Sequence, residues 1–484
     1  MIPKVRPSVR HVVSINDLNV DEIESIFELA QKYLDELGDP NVPYRIGRRR
    51  KSHPAANNVS DQILATLFYE PSTRTRLSFE SAMLRLGGEI ITSADPATSS
   101  AKKGESLADS VRVVGNYADL IVIRHPRDGA ARLAAEYSPV PVINGGDGSH
   151  EHPTQTLCDI FTLKKKNKTL KKLNVAIAGD LKGSRTIHSF VYALARFGAY
   201  IVPKPARGME LPPHVDRRLR EEFQCTFKTG QGSIDAVYQT PNEPHQAALF
   251  SEPDFELSVR SANRELTVKT GPRDNKIAAV YVTRFQKERW ANKDQQFPKI
   301  DAAFLKEAKY SKASVLHPLP RVDELDVALD SDVRAVYFEQ AAYGVPVRMA
   351  LISLLLQIEG GLARYEGGFF RERMPAYDQA LNVGLRCANQ NCIVHDETEA
   401  PYVRNKFHLI RTSSHPKLRC LYCETDIESF AIASKKNKWY STDPYDLSKI
   451  PNNNLKDFIF FASDTEAQEN GFHFKGRHGE RKLS

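Results

Sequence analysis

The sequence contains no long hydrophobic run and little cysteine. Its longest apolar stretch, near residues 350–358, is much shorter than the ~20 residues that a membrane-spanning helix requires. The N-terminal residues lack the apolar core of a secretory signal, so we expect a cytoplasmic protein that does not enter a membrane. Six cysteines among 484 residues are too few for a disulfide scaffold.

A marked excess of either charge is absent as well. The chain has 67 lysines and arginines against 60 acidic residues, which leaves a net charge of +7. This surplus suits small anionic substrates as well as nucleic acid, so charge alone does not define a partner. Hydrophobic residues make up 41% of the chain and charged residues 26%, as in ordinary globular proteins. The length leaves room for about three domains.

Strand and helix patterns alternate through the first part of the chain. Asn19 and Glu22 have the spacing of a capping box, and apolar residues then recur at helical intervals up to Gly38. From Ile63 onward four strands alternate with three helices, and the last strand is VPVING at residues 140–145. Strict alternation predicts an α/β fold with a doubly wound parallel sheet.

A second α/β domain of the same type is predicted after the helix that begins near Pro153. Its strands are LNVAIAGD, AYIVP, AAVYVTR, ASVLHP and AVYFEQ, and an insertion contains the alternating runs FELSVRS and RELTVKT, which predict a β-hairpin. The first domain is expected at 1–152, with a returning helix at about 345–365, and the second at 153–344, with the insertion at about 229–276. A linker at 366–386, a small cysteine-containing domain at 387–450 and a polar tail at 451–484 are expected to follow.

Polar side chains stand directly after several predicted strands. Ligands of open α/β sheets bind beyond the carboxyl ends of the strands, so these positions are candidate binding residues. The loop after the first strand, PSTRTR, leads into a helix, where backbone N–H groups, hydroxyls and the helix dipole favour an anion such as phosphate. The alternative is an ordinary helix cap with solvated arginines. The recurrence of polar strand ends favours the anion site.

Three further positions follow the same pattern. His152 precedes a proline at a helix start, where its imidazole can donate a hydrogen bond to a polarised carbonyl oxygen or act as a structural cap. Arg185 lies near a helix start and Arg284 follows a strand, and two guanidinium groups facing one cleft would suit a dicarboxylate. Each arginine alone would be an ordinary surface residue, so the argument rests on their recurrence in both halves.

Four cysteines are clustered near the C-terminus. Their spacing is C-x4-C, 27 residues and then C-x2-C, which permits a tetrahedral all-thiolate zinc site without an open coordination position. Such a site is structural. The alternatives are unrelated thiols and a nucleic-acid-binding ribbon, and the five basic and three acidic residues of the module give the ribbon little support.

Longer motifs carry a resemblance to a known family. FYEPSTRTRLSFESAMLRLGG, GDGSHEHPTQTLCDIFTL, GDLKGSRTIHS, YVTRFQKERW and VLHPLPRVDEL occur in an order that resembles the catalytic chain of aspartate carbamoyltransferases, over residues 1 to about 365. The cysteine module resembles the zinc domain of that family's regulatory chain, fused behind the catalytic part. The resemblance implies one domain for carbamoyl phosphate, one for L-aspartate, and a structural Zn²⁺ without a catalytic metal. It also implies no nucleic acid partner and a homotrimer or larger homo-oligomer with active sites at subunit interfaces.

The resemblance also implies roles for individual residues. The expected carbamoyl phosphate ligands are Ser72, Thr73, Arg74, Thr75, Arg124, His152, Gln155, Leu319 and Pro320, with Ser99 and Lys103 from a mobile loop of the neighbouring subunit. The expected aspartate ligands are Lys103, Arg185, Arg284 and Gln286. Glu70 would pair with Arg185 and Arg289 on domain closure. The expected zinc ligands are Cys387, Cys392, Cys420 and Cys423.

The implied reaction is attack of the neutral aspartate amine on the carbamoyl carbon, which gives N-carbamoyl-L-aspartate and phosphate for pyrimidine biosynthesis. Negative charge grows on the carbamoyl oxygen, and the resemblance assigns its stabilisation to Thr75, Arg124 and His152. Arg74 and Lys103 would stabilise the departing phosphate. No nucleophilic side chain is required, so positioning and electrostatics provide most of the acceleration.

Two alternatives compete with this function. An ornithine carbamoyltransferase would be expected to carry a cysteine in the HxLP position and an acidic acceptor pocket, whereas this chain has HPLP and TRFQKER. Paired arginines would repel the ornithine amine and favour a second carboxylate. A non-catalytic assembly scaffold is the other alternative, and the presence of every matched site residue argues against it.

Two features depart from the family pattern. The insertion is longer than expected, and only about 20 residues separate the last catalytic helix from Cys387. We therefore expect no nucleotide-binding domain of the regulatory type. We also expect the zinc module to dock on a neighbouring catalytic chain.

Overall fold

The structure, a computed structural model, describes residues 9–38, 59–93, 104–231, 234–240, 276–285, 299–358, 360–362, 385–410, 417–443 and 457–475. Chain contacts divide it into two compact units. The first unit consists of the described residues within Met1–Glu36, Tyr44–Thr154 and Val345–Ser484. The second unit consists of the described residues within Leu37–Pro43 and Gln155–Gly344. No helix within the described ranges is long and apolar enough to cross a membrane.

The first unit contains a parallel four-stranded sheet. Its strands are β1 (Ile63–Phe68), β2 (Glu89–Ser93), β3 (Leu120–His125) and β4 (Val142–Asp147), in the spatial order β2-β1-β3-β4. The helices are α1 (Val20–Leu37), α2 (Thr73–Leu86), α3 (Leu107–Val114) and α4 (Ala130–Tyr137). The central strands β1 and β3 are apolar and largely buried, as parallel strands covered on both faces require. The predicted alternation of strand and helix is confirmed.

Helix α1 begins with the predicted capping box. The Glu22 N–H donates to Asn19 Oδ1 at 2.8 Å, and the Asn19 N–H donates to Glu22 Oε2 at 2.9 Å. These two bonds satisfy backbone donors that the first helical turn leaves without intrahelical partners. The helix ends at Leu37, where Gly38 adopts a positive φ of 83°.

The second unit contains a mixed six-stranded sheet. Its strands are β5 (Asn174–Gly179), β6 (Tyr200–Pro205), β7 (Thr226–Gln231), β8 (Ile234–Gln239), β9 (Ala279–Val282) and β10 (Ser314–Leu316), in the order β10-β9-β5-β6-β8-β7. The helices are α5 (Pro153–Lys166), α6 (Arg185–Arg196) and α7 (Pro213–Glu221). Strands β7 and β8 form an antiparallel hairpin at one edge. The hairpin predicted at FELSVRS and RELTVKT lies outside the described residues.

The predicted strand AVYFEQ is wrong, because residues 337–340 open helix α8 (Tyr337–Leu355). Only Ala335 forms a strand-like bridge, to Val315. Tyr337 and Gln340 are buried while Phe338 is 54% exposed, so burial follows helical rather than alternating spacing. The cluster of apolar side chains at the helix start resembled a short strand.

The cysteine module, which comprises the described residues of 385–475, contains two small sheets. Antiparallel strands β11 (Phe407–Ile410), β12 (Lys417–Cys420) and β13 (Asp426–Ile427) form the first. The second has the order β16-β14-β15-β17 and is built from β14 (Ala431–Ser434), β15 (Trp439–Ser441), β16 (Phe458–Phe461) and β17 (His473–Phe474), with helix α9 (Asp464–Glu469).

The polar tail expected from residue 451 onward therefore requires correction. Residues 457–475 contribute two strands and a helix to the second sheet of the cysteine module. Phe460, Phe461 and Phe472 are buried there. The run FIFF at residues 458–461 supplies the apolar surface that makes this segment fold. The final residues, 476–484, lie outside the described part of the chain.

Candidate functional site

The predicted anion loop lies at the start of α2. Ser72 occupies the N-cap position, but its side chain does not cap the helix and its hydroxyl donates to Thr75 Oγ1 at 3.0 Å. Thr75 is buried, and Arg74 is exposed. The positive end of the helix dipole therefore faces a loop in which the Ser72 and Thr75 hydroxyls are hydrogen-bonded to each other. This combination favours an anionic oxygen. This geometry argues against the simple cap considered as the alternative.

Arg124 lies at the carboxyl end of strand β3, one residue before the strand ends at His125 and close to this loop. Its Nη1 donates to the Gly145 carbonyl at 3.2 Å, and its Nη2 lies 3.4 Å from Glu70 Oε2. Gly145 in turn approaches Thr75, since a Cβ built on Gly145 would lie 3.6 Å from Thr75 Cγ2. The carboxyl ends of β1, β3 and β4 thus bring the predicted residues Glu70, Thr75 and Arg124 together within the first unit.

His152 is buried at the N-terminal end of α5, with its Nδ1 3.4 Å from Thr154 Oγ1. Asp147 fixes the loop before it. The Asp147 carboxylate accepts from the Gly129 N–H and the Asn144 amide, each at 2.8 Å, and Oδ2 lies 3.1 Å from His150 Nδ1. Burial raises the pKa of Asp147, but the charge and hydrogen bond of His150 outweigh it and hold the pKa below its usual value.

The predicted acceptor residues belong to the second unit. Arg185 is the first residue of α6 and is largely buried, and Arg284 follows β9. The strand ends before them are joined, because the Asp180 N–H donates to Thr283 Oγ1 at 3.1 Å and the Thr283 hydroxyl donates to the Asp180 carbonyl at 3.2 Å. Gln286 and Arg289 lie outside the described residues, as do Ser99 and Lys103.

A buried carboxylate that the sequence analysis missed organises the second unit. Asp159 on α5 accepts from Gln155 Nε2 at 2.7 Å, from the Tyr281 hydroxyl at 2.8 Å and from Gln340 Nε2 at 2.6 Å. Burial and the Asp159 charge raise the pKa of Tyr281 well above its usual value. The network fixes Gln155, and the only signal in the sequence is that Asp159 follows Gln155 by one helical turn.

The HPLP turn connects to the same network. His317 donates its N–H to Gln340 Oε1 at 2.9 Å, while its Nε2 lies 2.8 Å from Glu324 Oε1. The Leu319 N–H donates to His317 Nδ1 at 2.8 Å, and the Leu319–Pro320 peptide is cis. Both predicted backbone ligands, Leu319 and Pro320, therefore lie in a turn held by side chains.

The four clustered cysteines converge in the cysteine module. Their Sγ atoms lie within 4.8 Å of one another, with 3.3 Å between Cys387 and Cys423 and 3.8 Å between Cys392 and Cys420. All four are buried and none forms a disulfide. Zn–S bonds of ~2.3 Å in a tetrahedron separate sulfurs by about 3.8 Å, so the thiolates fit a structural Zn²⁺.

The cysteine module packs on the first unit of its own chain, which corrects the expectation that it docks on a neighbouring chain. Side chains of α4, including Ala130 and Leu133, share one apolar cluster with Cys392, Phe407 and Tyr422. Gly129 has a φ of 83°, and a Cβ there would lie 2.6 Å from the Tyr422 carbonyl carbon. Only glycine permits this close approach.

Polar contacts surround this apolar cluster. Glu399 of the cysteine module accepts the N–H groups of Leu107 and Ala108, and it thereby caps helix α3. The Ile393 N–H donates to the Asp128 carbonyl at 2.9 Å, and Asn389 Nδ2 donates to the Asp128 carboxylate at 2.7 Å. The sequence analysis missed these residues because their partners lie more than 250 positions away.

Family comparisons agree with this architecture. Residues 10–165 match the carbamoyl-P binding domain of aspartate/ornithine carbamoyltransferases, and residues 238–355 match the Asp/Orn binding domain of that family. Residues 379–433 match the metal binding domain of the aspartate carbamoyltransferase regulatory chain. These matches cover the first sheet, strands β9 and β10 of the second sheet, and the four cysteines.

Individual relatives carry the same description. The aspartate carbamoyltransferase catalytic subunit of Methanocaldococcus jannaschii is 39% identical over 360 residues, which is 73% of this chain and 100% of that protein. The catalytic subunit of Picrophilus torridus is 40% identical over 71% of this chain and 97% of that protein.

Solved structures give the same result. The M. jannaschii catalytic subunit matches with a TM-score of 0.56 at 38% identity, over 72% of this chain and 99% of that one. The Trypanosoma cruzi enzyme in complex with aspartate and phosphate matches with a TM-score of 0.54 at 27% identity, over 74% and 96% of the two chains. The chain belongs to the aspartate carbamoyltransferase family, and it carries the metal-binding domain of that family's regulatory chain on the same polypeptide.

Proposed function

We propose that this protein transfers the carbamoyl group of carbamoyl phosphate to the amine of L-aspartate, in the cytoplasm and for pyrimidine biosynthesis. The observation that carries the proposal is the convergence of Thr75, Arg124 and Glu70 beside the N-terminus of α2 in a chain of this family. An anionic phosphate fits the helix N-terminus, and the neighbouring guanidinium supplies donors for a carbonyl oxygen.

We assign the chemical roles on this geometry. Ser72, Thr73 and Arg74 bind the phosphate of the substrate, while Thr75, Arg124 and His152 stabilise the oxygen that becomes negative as the amine attacks. Gln155, Leu319 and Pro320 contact the carbamoyl amide. Arg124 approaches Glu70 and Gly145, so its guanidinium is oriented before substrate binds. Preorganised donors of this kind typically provide ~10²–10³ in rate each.

We assign the acceptor to L-aspartate. Arg185 and Arg284, together with Gln286, present positive charge and amide donors that pair with two carboxylates. Ornithine carries a second amine in place of the second carboxylate, so these arginines would repel it. Lys103 and Ser99 complete the site from a neighbouring subunit, and Glu70 pairs with Arg185 and Arg289 on closure.

A homotrimer is supported by an exposed apolar strip on the first unit. Leu77 and Leu84 lie seven residues apart on one face of α2 and are 52% and 48% exposed. Strand β2 is the edge of the sheet, and Ile91 on it is 38% exposed. A face that combines an apolar helix stripe with an open sheet edge is suited to a second copy of the chain.

Turnover of carbamoyl phosphate with L-aspartate and L-ornithine offered in parallel tests the reaction. Carbamoyl-aspartate alone is expected. Citrulline would refute the acceptor assignment, and no product from either amine would refute the proposed catalysis. Arg74→Ala is expected to reduce turnover at least ~10²-fold. Arg85→Ala, at the opposite end of the same helix, is the matched control and should remain near wild type. Equal activity of the two variants would refute the phosphate-loop assignment.

A further inference from the structure

A histidine and two glutamates lie together where the cysteine module meets the first unit. His150 and Glu151 belong to the loop before α5, and Glu424 directly follows Cys423. One ligand atom from each of His150, Glu151 and Glu424 lies within 4.8 Å of the other two. Both elements belong to the same compact unit, so their approach is part of its internal packing.

His150 is oriented in the way that histidine metal ligands usually are. Its Nδ1 lies 3.1 Å from Asp147 Oδ2, and Asp147 is itself held by the Gly129 N–H and the Asn144 amide. The other ring nitrogen, Nε2, is buried and has no hydrogen-bond partner among the described residues. A carboxylate on one nitrogen fixes the tautomer and leaves the second nitrogen available to a metal ion.

Glu151 is equally well fixed. Its Oε1 accepts from the Ser14 hydroxyl at 2.5 Å, and its Oε2 accepts from the Ile15 N–H at 2.9 Å. Each carboxylate oxygen has more than one lone pair, so an oxygen that accepts a hydrogen bond can also bind a cation. The position of the carboxylate is therefore set before any ion binds.

We propose that His150, Glu151 and Glu424 bind a second divalent transition-metal ion, one per chain, which joins the cysteine module to the loop that carries His152. One imidazole and two carboxylates suit first-row ions such as Zn²⁺, Fe²⁺ and Mn²⁺. Bonds of ~2.1 Å place ligand atoms about 3–4 Å apart, so ligand atoms that lie within 4.8 Å of one another need to close by at most about 1–2 Å. Water completes the coordination shell.

Zinc titration of the full-length protein tests this proposal. Protein that carries one Zn²⁺ per chain in the thiolate site is titrated with further Zn²⁺ by calorimetry, and metal content is measured after desalting. The wild type is expected to retain two Zn²⁺ per chain. A wild-type protein that retains one would overturn the proposal.

Variants locate the second ion. His150→Ala and Glu424→Gln are expected to remove the second equivalent and keep the first, which also shows that the thiolate site has folded. Glu397→Gln changes an exposed glutamate of the same module and serves as the matched control, so it should retain both ions. If His150→Ala and Glu424→Gln both still retain two Zn²⁺ per chain, the proposal is overturned.

X-ray absorption at the zinc edge gives a readout that needs no variant. Protein with one Zn²⁺ should show sulfur scatterers alone, and protein with two should show nitrogen and oxygen scatterers added at the shorter distances typical of imidazole and carboxylate. An all-sulfur spectrum at two equivalents would contradict the assigned ligands.

Discussion

The contact of Gly129 with Tyr422 predicts a selective effect of one methyl group. Gly129→Ala places a Cβ 2.6 Å from the Tyr422 carbonyl carbon and 2.8 Å from its oxygen. Gly471 has a similar φ of 80°, but no described atom lies within 4 Å of its Cβ position. Comparing Gly129→Ala with Gly471→Ala therefore separates the cost of the left-handed backbone conformation from the cost of the contact with Tyr422.

The expected magnitudes follow from the two geometries. A non-glycine residue in the left-handed region costs ~1–2 kcal/mol, and both variants carry this term. Gly129→Ala also forces a backbone segment of the cysteine module to move, since backbone atoms cannot rotate away as a side chain can. Overpacking of this kind costs ~1–3 kcal/mol. The cysteine module should therefore dock less tightly by ~1–3 kcal/mol in Gly129→Ala than in Gly471→Ala.

Native-state hydrogen exchange measures this difference at the interface. The Ile393 amide donates to the Asp128 carbonyl across the contact, so its exchange reports undocking. Exchange is expected to be about 5–150-fold faster in Gly129→Ala than in Gly471→Ala, with one Zn²⁺ retained in each thiolate site. Equal exchange rates in the two variants would show that the close approach does not stabilise docking.

Three further predictions follow from the buried groups. Asp159→Asn converts an acceptor of three hydrogen bonds into a group with one acceptor oxygen, so thermal unfolding should show a loss of ~2–3 kcal/mol, and a change below 0.5 kcal/mol would contradict the network. Burial lowers the pKa of His125 to about 4 from 6.5, so the unfolded state binds the proton first as the pH falls. Stability should therefore drop by about 2 kcal/mol between pH 7 and pH 5 in urea titrations, and His125→Gln should remove this share of the pH dependence. Chelation of the thiolate zinc should lower the melting temperature in calorimetry, because the cysteines share an apolar cluster with α4; an unchanged temperature would refute a structural role.

Local sequence patterns predicted the elements that depend on local chemistry. The capping box at Asn19 and Glu22, the alternation of strands and helices, and the convergence of Cys387 with three further cysteines are all confirmed. Each depends on residues whose spacing in sequence determines the contact. The strand predicted at AVYFEQ was wrong because four apolar residues at a helix start resemble a strand. The polar tail predicted from residue 451 was wrong because the short run FIFF acquires its partners only in the folded sheet.

The sequence predicted candidate substrate ligands but not the residues that support them. Strand ends predicted Arg124 and Arg185 as candidates, since the topology of a parallel sheet places such positions at one edge. The supporting residues Asp159, Asp128 and Glu399 act through hydrogen bonds to partners far away in the chain. No periodicity indicates such pairs, because each depends on tertiary packing.

The cap that Glu399 places on α3 has a consequence for the time order of folding during synthesis. The two partners, Leu107 and Glu399, are separated by 292 residues. At ~5–20 residues per second, a ribosome needs about 15–60 s to proceed from one to the other. Ser106 caps the Asp109 N–H of helix α3 locally, but the Leu107 and Ala108 N–H groups must wait that long for their acceptor. The first unit of this enzyme begins to form early in translation and is completed only after almost the whole chain has emerged.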